Sequence, residues 1–247
     1  MNYKYQINAR QEAFKNFLLD IKSYFATNKQ TIHKARNELK VIEHNGVNTV
    51  VKSFKIPNKI NRVAYSFFRG SKAKKSYEYS IKLEHFTPEP IGYIEFYEYG
   101  LIKESYFISE EFKYDFTIRE PLLDKTFDDR DGVLKAFARF TLELHNNGIF
   151  HNDYSPGNIL IKKDVNGWIF KIVDVNRMRF TKLSCTHRAK NFSKLWASDE
   201  ILTIMAMEYL NNFLCDGHFI EEVLYYSNKN KKIKNFKKRL KGKAVND

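Results

Sequence analysis

The sequence predicts an α+β chain in two parts, and three observations support this. Strand and hairpin patterns crowd the first 110 residues, and helical spacings dominate beyond residue 128. Between them runs a polar, aromatic crossover, Glu110-Glu111-Phe112-Lys113-Tyr114-Asp115. The expected organisation is an N-terminal lobe over 1–112, a C-terminal lobe over 113–228 and a basic tail over 229–247.

Taken in order, Phe14, Phe17, Leu18, Ile21, Tyr24 and Phe25 recur at helical spacing, so residues 11–25 are expected as an amphipathic helix. Residues 38–42 and 47–54 flank His44-Asn45-Gly46 and predict a β-hairpin. Lys52 lies on its second strand. Thr87-Pro88-Glu89-Pro90 is a stiff extended connector, followed by strands at 91–97 and 105–109 with Gly100 between them. Beyond the crossover, Asp128-Asp129-Arg130-Asp131 supplies helix-start chemistry; Val133, Phe137, Phe140 and Leu144 continue the helix toward a stop at His145-Asn146-Asn147-Gly148. Residues 159–161 and 168–173 predict a second hairpin around Asn166-Gly167, which leaves Asp174 at its end. Residues 198–214 predict another helix, with Ile201, Leu202, Met205, Tyr209 and Phe213 as its core stripe.

Composition narrows the classes. Cys185 and Cys215 are the only cysteines and lack C-x-x-C spacing, so they are expected as separate thiols in a reducing compartment, with no zinc site. No apolar signal core opens the chain, and no run approaches the ~18 apolar residues of a spanning helix, which predicts a cytoplasmic protein. Lys plus Arg number 42 against 29 Asp plus Glu, and the net charge of +13 points to an anionic partner. The aromatics look like core rather than a stacking platform, so nucleic acid is not expected. From Lys229 onward nine basic residues, ending with Lys241 and Lys243, accompany Ile233, Phe236 and Leu240 at helical spacing. Such a run is either a solvated tail or a helix lying on an anionic inner-membrane surface.

The chemistry concentrates in His151-Asn152-Asp153-Tyr154-Ser155-Pro156-Gly157-Asn158. Its H-x-D-x-x-x-x-N spacing suits phosphoryl transfer: one carboxylate deprotonates a hydroxyl, and an amide oxygen with a second carboxylate holds Mg²⁺ beside the phosphates. The segment resembles the catalytic loop of the protein-kinase-like superfamily. Together with Val50-Val51-Lys52, Arg69 to Glu78 and Asp174-Val175-Asn176-Arg177-Met178-Arg179-Phe180, it resembles the bacterial lipopolysaccharide-core kinases, which include Kdo and heptose kinases.

The resemblance implies a two-lobed, protein-kinase-like fold: a small antiparallel-sheet lobe and a mainly helical lobe. It also implies transfer of the γ-phosphoryl group of ATP to a sugar hydroxyl of the lipopolysaccharide core at the inner face of the cytoplasmic membrane, by a protein expected as a monomer. By the same match Asp153 is the base, His151 braces the loop, and Asn158 and Asp174 hold Mg²⁺. Lys52 pairs with phosphates and Glu78 orients Lys52, with Glu84 and Glu43 as weaker alternatives. Glu110 and Glu111 are expected at the adenine edge. Arg177 and Arg179, with Lys182, Arg188 and Lys190, are expected to bind the anionic sugar. Two departures stand out: no glycine-rich phosphate loop exists beyond Gly46, helped by Asn45, Asn48 or Thr49, and no Ala-Pro-Glu follows Asp174. Alternatives are an atypical protein kinase, an antibiotic-type phosphotransferase and a pseudokinase scaffold.

Overall fold

The computed structural model describes residues 2–29, 31–34, 37–55, 62, 65, 66, 69–215, 217–240 and 242. The chain divides into two compact units, Met1–Lys113 with Asp174–Asn176, and Tyr114–Val173 with Arg177–Asp247. Among the described residues no helix is long and apolar enough to cross a membrane.

In the first unit, β1 (Asn2–Ile7), β2 (Thr31–Lys34), β3 (Asn37–His44), β4 (Val47–Phe54), β5 (Pro90–Glu98) and β6 (Leu101–Glu110) form one antiparallel sheet in the order β1-β5-β6-β4-β3-β2. Two tight turns need left-handed backbone, and the residues there supply it: Asn45 and Gly46 at φ 52° and 76°, Tyr99 and Gly100 at 51° and 74°. Strand alternation then sorts the side chains onto two faces. Ile42, Val51, Ile94, Phe96, Tyr106 and Ile108 pack against Phe14, Phe17, Leu18, Ile21 and Phe25. Full burial of side chains such as Phe17, Leu18 and Ile21 contributes roughly 1.5–3 kcal/mol each. Phe54, Tyr93 and Phe107 lie on the other face with Ala73 and Tyr77 of α3 (Lys72–Leu83), a helix that Ser71 caps by accepting from the Lys74 N–H at 3.0 Å.

The single helix expected over 11–25 is instead a 3₁₀ turn, Ala9–Phe14, and two short helices, α1 (Lys15–Leu19) and α2 (Ile21–Thr27), broken at Asp20 (φ −100°, ψ 20°). A short polar side chain competes poorly for helix interior, and the apolar stripe reaches the sheet regardless of the break. The end of α2 is pinned by buried Lys40, whose ammonium donates to the carbonyls of Phe25 at 2.6 Å and Asn28 at 2.8 Å. The strand β1 was not foreseen. Its pairing brings Ile7 opposite Gly92, where an added Cβ would lie 2.7 Å from the Gln6 carbonyl oxygen and 2.9 Å from Leu18 Cδ2.

The second unit contains β7 (Phe116–Thr117), α4 (Arg119–Leu123), α5 (Arg130–Asn146), β8 (Ile149–His151), β9 (Ile159–Asp164), β10 (Gly167–Ile172), β11 (Met178–Phe180), α6 (Cys185–Phe192), α7 (Asp199–Asn211) and α8 (Phe219–Arg239). Two small sheets, β10-β9-β7 and β11-β8, carry the loops, and helices form the rest. Aromatic stacks tie them: Phe137 on Tyr154 at 5.6 Å, Phe140 on Phe170 at 5.1 Å, Tyr209 on Phe219 at 5.1 Å between centroids.

Two expectations are corrected here. Cys185 and Cys215 are not separate thiols: they form a disulfide, Cα–Cα 5.8 Å, because α6 and the segment after α7 run back beside each other across thirty residues of sequence. The basic run from Lys229 is not a separate tail. It continues α8, which begins at Phe219 and buries Phe219, Val223 and Ser227 at four-residue intervals. Lys241 and Lys243 lie outside the described residues.

Candidate active site

Within the first unit, Lys52 occupies the face of β4 that carries Phe54, and its ammonium lies 2.5 Å from Asp174 Oδ1. Both side chains are largely shielded, 12% and 34% exposed. Asn176 Nδ2 donates to the same oxygen at 2.7 Å. Asp174 has φ 57°, a left-handed conformation that Asp tolerates better than most residues and that a turn directly after a strand requires. The partner of Lys52 is therefore Asp174 and not Glu78. Glu78 sits on the outer part of α3, where it pairs at 3.7 Å with Lys74 one turn before it.

Glu110 and Glu111, expected at the adenine edge, are engaged inside the unit. The Glu110 N–H donates to the Glu89 carbonyl at 2.9 Å and the Glu111 N–H to the Asn48 carbonyl at 2.8 Å. Their carboxylates accept from Gln11 Nε2 at 2.7 Å and Asn48 Nδ2 at 3.0 Å. These contacts anchor the crossover to the start of β4 and withdraw both N–H donors from a ligand. Thr49, offered as a phosphate-loop helper, is fully buried and donates to the Ile42 carbonyl at 2.6 Å.

Within the second unit, the loop from His151 to Asn158 is held by its own groups and by neighbouring segments. His151 Nδ1 accepts the Asp153 N–H at 3.0 Å, which leaves Nε2 as the protonated nitrogen, facing the Val173 carbonyl at 3.1 Å. The Asp153 carbonyl accepts from the Ser155 N–H at 2.7 Å and from Asn158 Nδ2 at 2.8 Å. Tyr154 is fully buried and donates to Thr141 Oγ1 at 2.9 Å, since that hydroxyl donates in turn to the Phe137 carbonyl at 2.8 Å. The Asp153 carboxylate, by contrast, makes no hydrogen bond or ion pair among the described residues. A half-exposed carboxylate left unpaired on a loop this constrained is suited to taking a proton from a substrate. Asn158 turns its amide nitrogen to the backbone and so keeps Oδ1 as the acceptor. An amide oxygen is one of the hard oxygen donors that Mg²⁺ takes.

The loop rests on a buried polar relay that sequence reasoning missed. Arg188 Nη1 donates to Tyr209 Oη at 2.8 Å, Tyr209 to His145 Nδ1 at 2.9 Å, His145 Nε2 to Asn191 Oδ1 at 3.0 Å, and Asn191 Nδ2 to the His151 carbonyl at 2.9 Å. Burial, reinforced by Arg188, holds the His145 pKa down at about 4. Arg188 was expected to face the sugar; it is buried instead, with Phe213 against its guanidinium at 4.0 Å. Lys190 lies over the Tyr226 ring at 4.8 Å. Arg177 and Arg179 do expose their side chains, and the Arg177 carbonyl accepts from Asn152 N at 3.1 Å and Nδ2 at 2.9 Å, next to Asp153.

No family model matches the chain, and no curated protein matches it in sequence. Its fold is common among solved structures, with 1339 matching chains, so fold by itself selects no substrate. One of them, WaaP in complex with acyl carrier protein, aligns at TM-score 0.59 and 13% identity, over 93% of this chain and 99% of that one. The chain has a two-lobed, protein-kinase-like α+β fold.

Proposed function

We propose that this protein transfers the γ-phosphoryl group of ATP to a hydroxyl of Kdo or heptose in the lipopolysaccharide inner core. The observation that carries the reading is the unpaired Asp153 carboxylate on a loop fixed by His151, Ser155 and Asn158. Asp153 takes the hydroxyl proton as the sugar oxygen bonds to the γ-phosphorus and the bond to ADP breaks, so charge and atoms balance. Mg²⁺, held by Asn158 and Asp174, would neutralise phosphate charge. Lys52 serves the phosphates, and its contact with Asp174 aligns both groups ahead of nucleotide binding. His151 fixes the backbone of Asp153.

The exposed apolar stripe at the end of α8, Ile233 and Phe236 with the capping Leu240 at 45%, 62% and 71% exposure, would lie on an anionic membrane where a lipid-linked acceptor resides. The structural neighbour was solved with acyl carrier protein; a protein of that class is a partner to test here as well.

ATP consumption measured in parallel against core lipid, lipid A, a generic protein and aminoglycosides tests the reading. Turnover is expected with the core lipid alone. Phosphorylation of protein or aminoglycoside, with none on core sugar, selects one of the alternatives instead.

A further inference from the structure

One face of α8 has no part in the reaction as described above. Ser227, Lys231, Lys234 and Lys238 recur every three or four residues, with Asn230 beside Lys231, and so share one side of the helix. That side is pinned to segment 193–197: Asn230 Nδ2 donates to the Ser193 carbonyl at 2.7 Å and Lys231 Nζ to the Ala197 carbonyl at 2.8 Å. Between those two carbonyls Trp196 is held at φ 60°, a left-handed backbone that a bulky residue adopts only under constraint from its surroundings. Its ring is the floor for two ammonium groups, Lys234 Nζ at 4.8 Å and Lys238 Nζ at 5.5 Å from the centroid. Lys194 belongs to the same segment, two residues from Trp196 and three from Asn191, which bonds the His151 carbonyl.

These charges act on one another and on the base. The Lys234 pKa is lowered, first by burial and then by Lys194, with Asp153 opposing and Lys238 adding to the effect. Lys231, on the same face, finds Asp199 at 3.9 Å, whereas Lys194, Lys234 and Lys238 form no salt bridge among the described residues. Cations gathered on a rigid aromatic floor repel each other, and an anion placed among them removes that cost. The supply of donors matches a phosphate monoester, with its double charge and three acceptor oxygens.

We propose that Lys194, Lys234 and Lys238 form an anion subsite that binds a phosphate group carried by the acceptor and so presents the acceptor hydroxyl to Asp153. The second half of that statement rests on the kinase reading, and the first on the placement of Lys234 and Lys238 over the Trp196 ring.

The test separates the two. The chain has two tryptophans, so in a Trp168→Phe background the emission of Trp196 reports directly on the lysines above it. Titration of the full chain with inorganic phosphate is expected to give a saturable change, weakened about tenfold by Lys234→Gln or by Lys238→Gln, the loss of one charge-assisted contact. A response no different from that to chloride at equal ionic strength overturns the subsite, as does phosphate binding that both variants leave intact. In turnover on a phosphorylated core acceptor, Lys234→Gln is expected to raise KM for the acceptor about tenfold and leave KM for ATP in place. An equal rise in KM for ATP assigns the lysines to the nucleotide and overturns the acceptor role. Lysine-dependent phosphate binding without transfer to any core sugar would remove the sugar-kinase reading while supporting the anion site.

Discussion

Acidification should unfold the second unit's polar relay through a single residue, His145. The side chain is 1% exposed and both ring nitrogens are committed, Nε2–H to Asn191 and Nδ1 as acceptor from Tyr209. A second proton at Nδ1 would face a hydroxyl already donating toward it, beside the Arg188 guanidinium, and shielded from solvent. The folded pKa is accordingly about 4 against an ordinary 6.5. Below 6.5 the unfolded chain binds this proton and the folded chain does not, so stability falls with pH from 6.5 to about 4 and flattens beneath. At ~1.36 kcal/mol for each pH unit, that window is worth about 3 kcal/mol. Urea unfolding of wild type and His145→Gln, followed by circular dichroism from neutral pH to about 4, isolates the effect, because carboxylate titrations common to both cancel in the difference. The glutamine keeps a donor toward Asn191. The wild-type curve should be steeper by about 1.4 kcal/mol per pH unit at the centre of the window. Parallel curves, or a His145 imidazole that titrates near its ordinary value by nitrogen NMR, would refute the reasoning.

Other expectations follow from the same contacts. Asp153→Asn should abolish transfer and spare nucleotide binding in a filter or calorimetric assay, since shape is kept and the proton acceptor removed. Lys52→Met should lower kcat by about 10²-fold or more, and Asp174→Asn should weaken Mg²⁺-dependent nucleotide binding. Glu78→Gln should cost no more than about 0.5 kcal/mol in urea unfolding, because its Lys74 pair lies on the helix surface; a large loss of turnover in this variant would return Glu78 to the site. Replacing Cys185 with Ser opens a cross-link of sequence separation 30 and should destabilise the chain by about 3–4 kcal/mol on loop entropy, read as a lowered urea midpoint that reductant reproduces in wild type.

Legibility tracked distance along the chain. The hairpin around Asn45-Gly46 and the turn from Asp153 to Asn158 were readable because the backbone there depends on residues within ten positions of each other. The strand β1 was missed although Tyr3, Tyr5 and Ile7 alternate with polar residues: its pairing comes from β5, some ninety residues on. Residues 11–25 kept their apolar stripe and lost their continuity, since periodicity reports which side faces the sheet and not whether the axis is unbroken.

The sequence by itself determined the chemistry available to this protein: a carboxylate, an amide and a lysine on elements whose local rules place them at a strand end, a loop and a strand. Tertiary structure decided which groups meet. Lys52 chose Asp174, 122 residues away, over Glu78, 26 positions along the chain. Cys185 closed on Cys215, Arg188 went inside to hold Tyr209, and α8 brought Lys234 within electrostatic reach of Asp153. Pairings of that kind are set by the folded path of helices and sheets, which the residues impose only collectively, so no spacing in the chain announces them.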